Sequence, residues 1–260
     1  MTPRVELYLA DCLDKLPEIE TASVDAIIAD LPYGITASKW DSVIPLEPLW
    51  KQYKRIIKPK GAVVLFGSQP FTSRLVMSNP EWFRYELIWR KTMATGFLDA
   101  NRRPMRAHES LLIFSDGQTT NNPHFWYSTP YVIERATPSR APHYGAHTRE
   151  NTSRSPDGRR YPVSVIKISN PNHNSHHQTE KPVALLAYLV RTYTNEGETV
   201  LDNAMGSGST GVACVQEGRN FIGIEIEREY FDIAQERIAE AQAKMEQPQQ
   251  AAMELNKCST

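Results

Sequence analysis

Cysteine is scarce in this chain and scattered. Cys12, Cys214 and Cys258 are an odd number, far apart, with no Cys-x-x-Cys. That argues against a disulfide framework and against a thiolate zinc site, and it leads us to expect a reducing, cytoplasmic setting. Long apolar runs are missing too. None approaches the roughly 18 residues of a membrane span, and Met1–Glu6 has no apolar core of a signal peptide. Nor is one sign of charge in excess. Lys and Arg number 29 against 30 Asp and Glu, for a net charge of −1, so total charge does not announce a nucleic-acid ligand. What is present is an ordinary globular composition, 40% hydrophobic and 23% charged over 260 residues, long enough to bury a core without staples.

The charge is unevenly placed, and a phosphate-binding face needs only a local excess. Arg84, Arg90, Lys91, Arg102, Arg103 and Arg106 stand against Glu86 and Asp99. Arg135, Arg140, Arg149, Arg154, Arg159 and Arg160 face only Glu150 and Asp157. Acidic residues collect elsewhere, notably over Glu225–Glu240. Either basic stretch alone reads equally well as a solvated face. Two of them bracketing one central region favour phosphate contacts.

Short apolar runs alternate with helix-like stretches. Strands are expected at Val5–Leu9, Val24–Ala29, Ala62–Phe66, Tyr85–Trp89, Ser110–Phe114, Thr199–Leu201 and Phe221–Ile224. Helices are expected at Cys12–Ile19, Leu46–Ile57, from Phe71 to Met77, Val183–Tyr193, Gly211–Glu217 and Arg228–Lys244, the second ending at Lys58-Pro59-Lys60-Gly61. This alternation predicts an α/β fold, a mostly parallel sheet covered by helices on both faces. Asp116–Ser164 breaks the rhythm. About 50 residues rich in Pro, Ser, Thr, Asn, Arg and His is too long for a plain loop, so it reads as an insertion, a lid or a recognition element. The polar stretch after Gln247 is expected to fray.

Two motifs carry chemistry. The first runs from Asp202 to Gly211, Asp-Asn-Ala-Met-Gly-Ser-Gly-Ser-Thr-Gly, between a strand and a helix. Gly206 and Gly208 let backbone approach a ligand closely. Glu225 ends the next strand, 19 residues after Gly206, where a carboxylate can accept ribose hydroxyls. A nucleoside cofactor follows, but the glycine count does not by itself settle which.

The second motif is Asp30-Leu31-Pro32-Tyr33, directly after the strand Val24–Ala29. An exocyclic amine conjugated to its ring is a poor nucleophile. To attack a sulfonium methyl it must rehybridise, with its N–H bonds aimed at acceptors. The Asp30 carboxylate and the Leu31 carbonyl supply those acceptors. Pro32 biases Leu31 away from helix and aims that carbonyl. Tyr33 offers a flat face for a base taken out of a duplex.

On these residues the chain resembles the amino-group DNA methyltransferases. Asp30–Tyr33 is similar to their Asp/Asn/Ser-Pro-Pro-Tyr motif, and Asp202–Thr210 to their Asp-Pro-Phe-x-Gly-Ser-Gly-Thr-Thr loop. His177-Gln178-Thr179-Glu180-Lys181-Pro182 resembles the segment just upstream of that loop. Ala10-Asp11-Cys12-Leu13 with Val24–Ile28, and Trp89, Lys91, Asn101 and Glu109, also fall where the family has counterparts. The likeness covers roughly 4–116 and 165–240. Catalytic motif first and cofactor loop last is a circular permutation that resembles the family's beta class.

The resemblance implies a Rossmann-like S-adenosylmethionine-dependent methyltransferase fold, with Thr199–Leu201 and Phe221–Ile224 pairing beside Val5–Leu9 and Val24–Ala29. It implies a catalytic part at 1–116, a target-recognition insertion at 117–164, a cofactor part at 165–245 and a flexible tail at 246–260. Asp30, Leu31, Pro32 and Tyr33 would be catalytic. Asp11 would contact the cofactor adenine and Glu225 the ribose. Asp202, Gly206 and Gly208 would line the methionine part, with Lys181 nearby, and Cys12, Met205 and Ser209 would also contact the cofactor. The sequence departs from the pattern where Leu31 and Asn203 replace proline and Ala204 replaces phenylalanine.

The implied activity is site-specific methylation of adenine N6 in double-stranded DNA, of the kind found in restriction–modification. Asp at the first motif position leans towards adenine; N4-cytosine methylation is the runner-up. An RNA or protein methyltransferase, or a DNA-binding module with a degenerate site, are further alternatives. No metal is expected, despite His173, His176 and His177, because transfer from a sulfonium needs none. A homodimer and a partner endonuclease stay open, as does the recognition sequence.

Overall fold

The computed structural model describes residues 2–34, 42–124, 126–127, 131–134, 152–155, 159–170 and 180–257. His173, His176, His177 and half of 117–164 therefore lie outside the described residues. In chain order the elements are β1 (Val5–Leu9), α1 (Cys12–Lys15), β2 (Val24–Ala29), α2 (Leu46–Ile56), β3 (Ile57–Gly67), α3 (Phe71–Ser78), β4 (Phe83–Thr95) and β5 (Arg106–Phe114). Then come β6 (Trp126–Tyr127), β7 (Tyr131–Glu134), β8 (Thr152–Ser155), β9 (Arg159–Arg160) and β10 (Val165–Lys167). The chain closes with α4 (Val183–Tyr193), β11 (Thr199–Asp202), α5 (Ser209–Gln216), β12 (Asn220–Glu225) and α6 (Arg228–Lys257).

Eight strands form one sheet in the order β1-β12-β11-β2-β3-β5-β4-β10. Neighbours are parallel except where β5 pairs with β3 and β4. The expected mostly parallel sheet is present, and β11 and β12 do lie between β1 and β2. Side chains alternate across each strand, and two apolar layers result. Ala26, Ile28, Val64 and Phe66 face α4, α5 and α6, while Ile27, Ala29, Val63 and Leu65 face α1, α2 and α3. Each large apolar side chain so buried stabilises the fold by about 1.5–3 kcal/mol. Residues 123–163 form a separate compact unit, in which β6 pairs with β9 and β7 with β8, both antiparallel.

The elements differ from expectation mainly at their ends. α2 passes into β3 at Ile57 without a loop, because Lys60 takes a positive φ of 68° inside the strand and Lys58 is held by the Asp25 carboxylate at 2.8 Å. Cys12–Ile19 splits into α1 and a short 3-10 turn at Leu16–Glu18, with Pro17 at its start. β4 and β5 extend well beyond their apolar parts. α6 continues to Lys257, past the start of the expected tail; Gln, Ala, Met, Glu, Leu and Lys there are good helix formers.

This topology makes a crevice. From β11 the chain turns through α5 towards β12, whereas from β2 it turns through α2 towards β3, so the connections diverge between two adjacent strands. Ligands of open α/β sheets bind at such a point, beyond the carboxyl ends of the strands. Asp30 follows β2 and Asp202 ends β11, one on each side of that crevice.

Candidate active site

A cavity of about 680 Å³ opens at the carboxyl ends of β1, β2, β11 and β12, within the size range of small-molecule sites. Its wall includes Asp11, Cys12, Asp30, Leu31, Pro32, Tyr33, Lys181, Asp202, Met205, Gly206, Ser209 and Glu225. Twelve of the thirteen site residues expected from sequence thus line one space. Gly208 is the exception. Its φ of +79° turns the loop into α5, and a Cβ there would come within 2.9 Å of the Ala234 backbone on α6, so the glycine serves loop-to-helix packing.

The Asp202–Gly208 loop is built around two buried carboxylates. Asp202 accepts the Thr210 hydroxyl at 2.6 Å and the Ala204 N–H at 3.1 Å. Burial nevertheless raises its pKa to about 7. Glu225 accepts the Gly206 N–H at 2.8 Å on Oε2, and the Ile226 and Glu227 N–H groups at 2.9 Å on Oε1. Burial still leaves its carboxyl above the ordinary glutamate range. A carboxylate offers about four lone-pair sites, and the three described bonds to Glu225 take one on Oε2 and two on Oε1. Gly206 has a φ of +51°, and no described atom lies within 4 Å of where its Cβ would be, so backbone and not side chain faces the space. Asp11 caps α1 by accepting the Leu13 N–H at 2.8 Å, which fixes its carboxylate at the cavity rim. Burial pushes the Cys12 thiol up to about 11, so it is a neutral wall group. This donor and acceptor set fits a polar nucleoside held against backbone.

Asp30 sits across the crevice. Tyr33 donates its hydroxyl to Asp30 Oδ1 at 2.7 Å, and its ring stacks on Phe71 with centroids 5.0 Å apart. Lys181, which lines the same cavity, donates to Asp30 Oδ2. Its ammonium also lies 3.4 Å from Glu109 Oε2, and Glu109 Oε1 takes Lys91 at 2.5 Å. Charges therefore alternate from Lys91 through Glu109 and Lys181 to Asp30. Burial would discharge Lys181, but Asp30 and Glu109 hold its pKa above the ordinary lysine value. Burial would raise Glu109, but Lys181 and Lys91 hold it below its ordinary value. Tyr33 is driven well above the phenol range, first by burial and then by Asp30 and Glu109; it stays a donor.

A second, half-buried network joins Arg237, Glu180 and Ser209. Arg237 of α6 donates to Glu180 at 2.5 Å and to the Ser207 carbonyl at 2.6 Å, and Ser209 donates to Glu180 at 2.9 Å. It ties the glycine loop to the segment before α4. Among the described residues no group of three His, Cys, Asp or Glu side chains is placed to hold a metal.

Residues 24–236 match the DNA methylase family. The chain belongs to that family. Among relatives of this DNA methylase is the Type II methyltransferase M.HinfI of Haemophilus influenzae, 28% identical over 256 residues, covering 88% of this chain and 67% of M.HinfI. The solved complex of M1.HpyAVI with SAM is 26% identical, with a TM-score of 0.60 over 90% of this chain and 99% of that one. The cytosine-N4-specific PvuII DNA methyltransferase is 15% identical, with a TM-score of 0.63 over 94% and 93%; that likeness concerns the fold. No described helix of this methylase is long and apolar enough to cross a membrane.

Proposed function

We propose that this DNA methylase moves a methyl group from S-adenosylmethionine to adenine N6 of a base flipped out of duplex DNA. The observation that supports this most is the placement of Asp30 at the end of β2, across one cavity from Asp202 and Glu225. When bound, S-adenosylmethionine supplies an electrophilic methyl on a sulfonium. Glu225 Oε2 would accept a ribose hydroxyl, Asp11 and Cys12 would border the adenine, and Asp202 would face the cationic methionine part across Met205 and Gly206.

The protein's own groups do the rest. Asp30 and the Leu31 carbonyl accept the two N–H bonds of the target amine, which turns its lone pair towards the methyl. As the N–CH₃ bond forms and the S–CH₃ bond breaks, with its electron pair left on sulfur, the nitrogen gains positive charge, which Asp30 stabilises until one N–H proton passes to water. Tyr33 holds the carboxylate by its hydroxyl, and its ring face turned away from Phe71 is the one on which a base would stack. Lys181 restrains Asp30 from the other oxygen.

Asp30 favours adenine over cytosine, in line with the family's first motif position; N4-cytosine is the second reading. The basic region of 117–164 is assigned to target recognition. The test is to incubate the purified chain with labelled S-adenosylmethionine and mixed-sequence duplex DNA, then identify the modified nucleoside by mass spectrometry. N6-methyladenosine is expected. N4-methylcytosine would overturn the base and keep the mechanism, and no methylated nucleoside would overturn both.

A further inference from the structure

β4 and β5 run past the body of the sheet as a two-stranded arm. Thr95 and Arg106 are its last paired residues, and both line the cavity. Beyond them Gly96, at φ +89°, starts a 3-10 turn at Phe97–Asp99. This turn points apolar groups into solvent. Phe97 is 72% exposed and Leu98 85%, with Met93 at 59% and Met105 at 42% on the stem. Four large apolar side chains within thirteen residues is a concentration that needs a partner.

The charge around the tip says which kind. Between Arg90 and Arg106 stand Arg90, Lys91, Arg102, Arg103 and Arg106 against the single acid Asp99, which is already bound to Arg103 at 2.6 Å. Guanidinium groups flanking an exposed aromatic and a leucine suit a polyanion with an apolar interior. A DNA duplex is such a ligand: phosphates outside, stacked bases within. The site at the foot of the arm, as read above, requires one base to leave that stack, which opens an apolar gap.

We propose that the β4–β5 arm is a wedge, with Phe97 and Leu98 entering the DNA stack beside the target base while Arg102, Arg103 and Arg106 hold the phosphates. The proposal rests on the methyltransferase reading for the purpose of the wedge, though the insertion itself can be observed independently. Gly96 supplies the tight turn that presents both side chains together. Thr95 and Arg106 set the wedge at the cavity mouth, so the base displaced is one that the cavity can receive.

The full chain carrying Phe97→Ala with Leu98→Ala, and separately Phe97→Trp, tests this. The double variant touches no buried residue, so its thermal midpoint and S-adenosylmethionine affinity are expected to match wild type. Its methylation of duplex plasmid DNA is expected to fall by about tenfold or more. An unchanged rate would overturn the proposal. For Phe97→Trp, with S-adenosylhomocysteine present, duplex DNA is expected to quench fluorescence beyond the quenching seen in wild type, because an inserted indole stacks on bases. No additional quenching would overturn insertion. Sedimentation of wild type and the double variant checks the rival occupant, a second copy of the chain: a dimer lost on substitution would overturn the DNA assignment. Extra quenching from a chain that methylates no DNA would keep the wedge and sink the methyltransferase reading.

Discussion

At the scale of single residues, the chemistry turns on carboxylates whose surroundings differ. Asp30 is shared by Tyr33 and Lys181, and Lys181 has Glu109 as its second counter-ion. We expect Asp30→Ala to reduce methyl transfer by about a thousandfold or more while S-adenosylmethionine affinity measured by calorimetry stays within about threefold. The Lys181 charge loses its nearer partner, so a stability loss of about 1–3 kcal/mol is also expected in chemical denaturation. Equal loss of binding and transfer would mean that Asp30 holds the fold and performs no catalysis.

Asp202 behaves differently, because burial brings its pKa to about 7 from an unfolded value near 3.8. Its raised folded pKa favours the native state fully below about pH 4, and that advantage is lost as pH rises to 7 and above. Asp202→Asn is therefore expected to gain stability relative to wild type at pH 8, at most about 4 kcal/mol, with the gain vanishing towards pH 4. Ligand binding carries the opposite dependence. A cation beside Asp202 favours the ionised form, so S-adenosylmethionine should bind more tightly as pH rises from 6 to 8. The Asn variant should lose that slope. A slope of the same size in Asp202→Asn would place the titrating group elsewhere.

At the scale of elements, the helices and strands of the sheet body were legible because their apolar spacing is strong. α4 matches its expected span to the residue, and β2 does likewise. The arm was less legible. Its outer strands carry Arg, Lys, Thr and Met in no alternating pattern, since neither face there meets a core, and hydrogen bonding between β4 and β5 maintains them. β10 has three residues with one buried, too short for any periodic signal. Packing also explains a glycine that the motif alone does not. Gly211, inside α5, lies against Ile238 of α6 and Phe221 of β12, and a Cβ there would stand 2.7 Å from the Phe221 ring. Helix propensity favours alanine over glycine by about 1 kcal/mol. Overpacking costs about 1–3 kcal/mol and should win. Gly211→Ala is expected to lower the denaturation midpoint; a raised midpoint would show that α5 and α6 can separate at little cost.

At the scale of the whole molecule, the chain's near-zero net charge hid a division of labour. All thirteen residues expected at the site were named from sequence because each belongs to a short motif, and twelve of them line the cavity. The Lys181–Asp30 pair could not, since 151 residues separate its members and the packing of α4 beside β2 brings their segments together. Every described residue lining the cavity belongs to 1–122 or 164–260, and none to the unit at 123–163. The stubs on both sides are anchored in the first unit: Asn122 donates to the Arg191 and Thr194 carbonyls, and the Ser164 carbonyl accepts the Ile88 N–H at 2.8 Å. Replacing 123–163 by a flexible Gly/Ser linker should therefore leave a folded body. We expect that body to bind S-adenosylmethionine within about threefold of the full chain, and to have lost methylation of duplex DNA. Loss of cofactor binding would mean that the cavity depends on the second unit. Full retention of sequence-specific methylation would move target recognition out of 123–163 and onto the sheet body, where the arginines of the β4–β5 arm would be the first place to look.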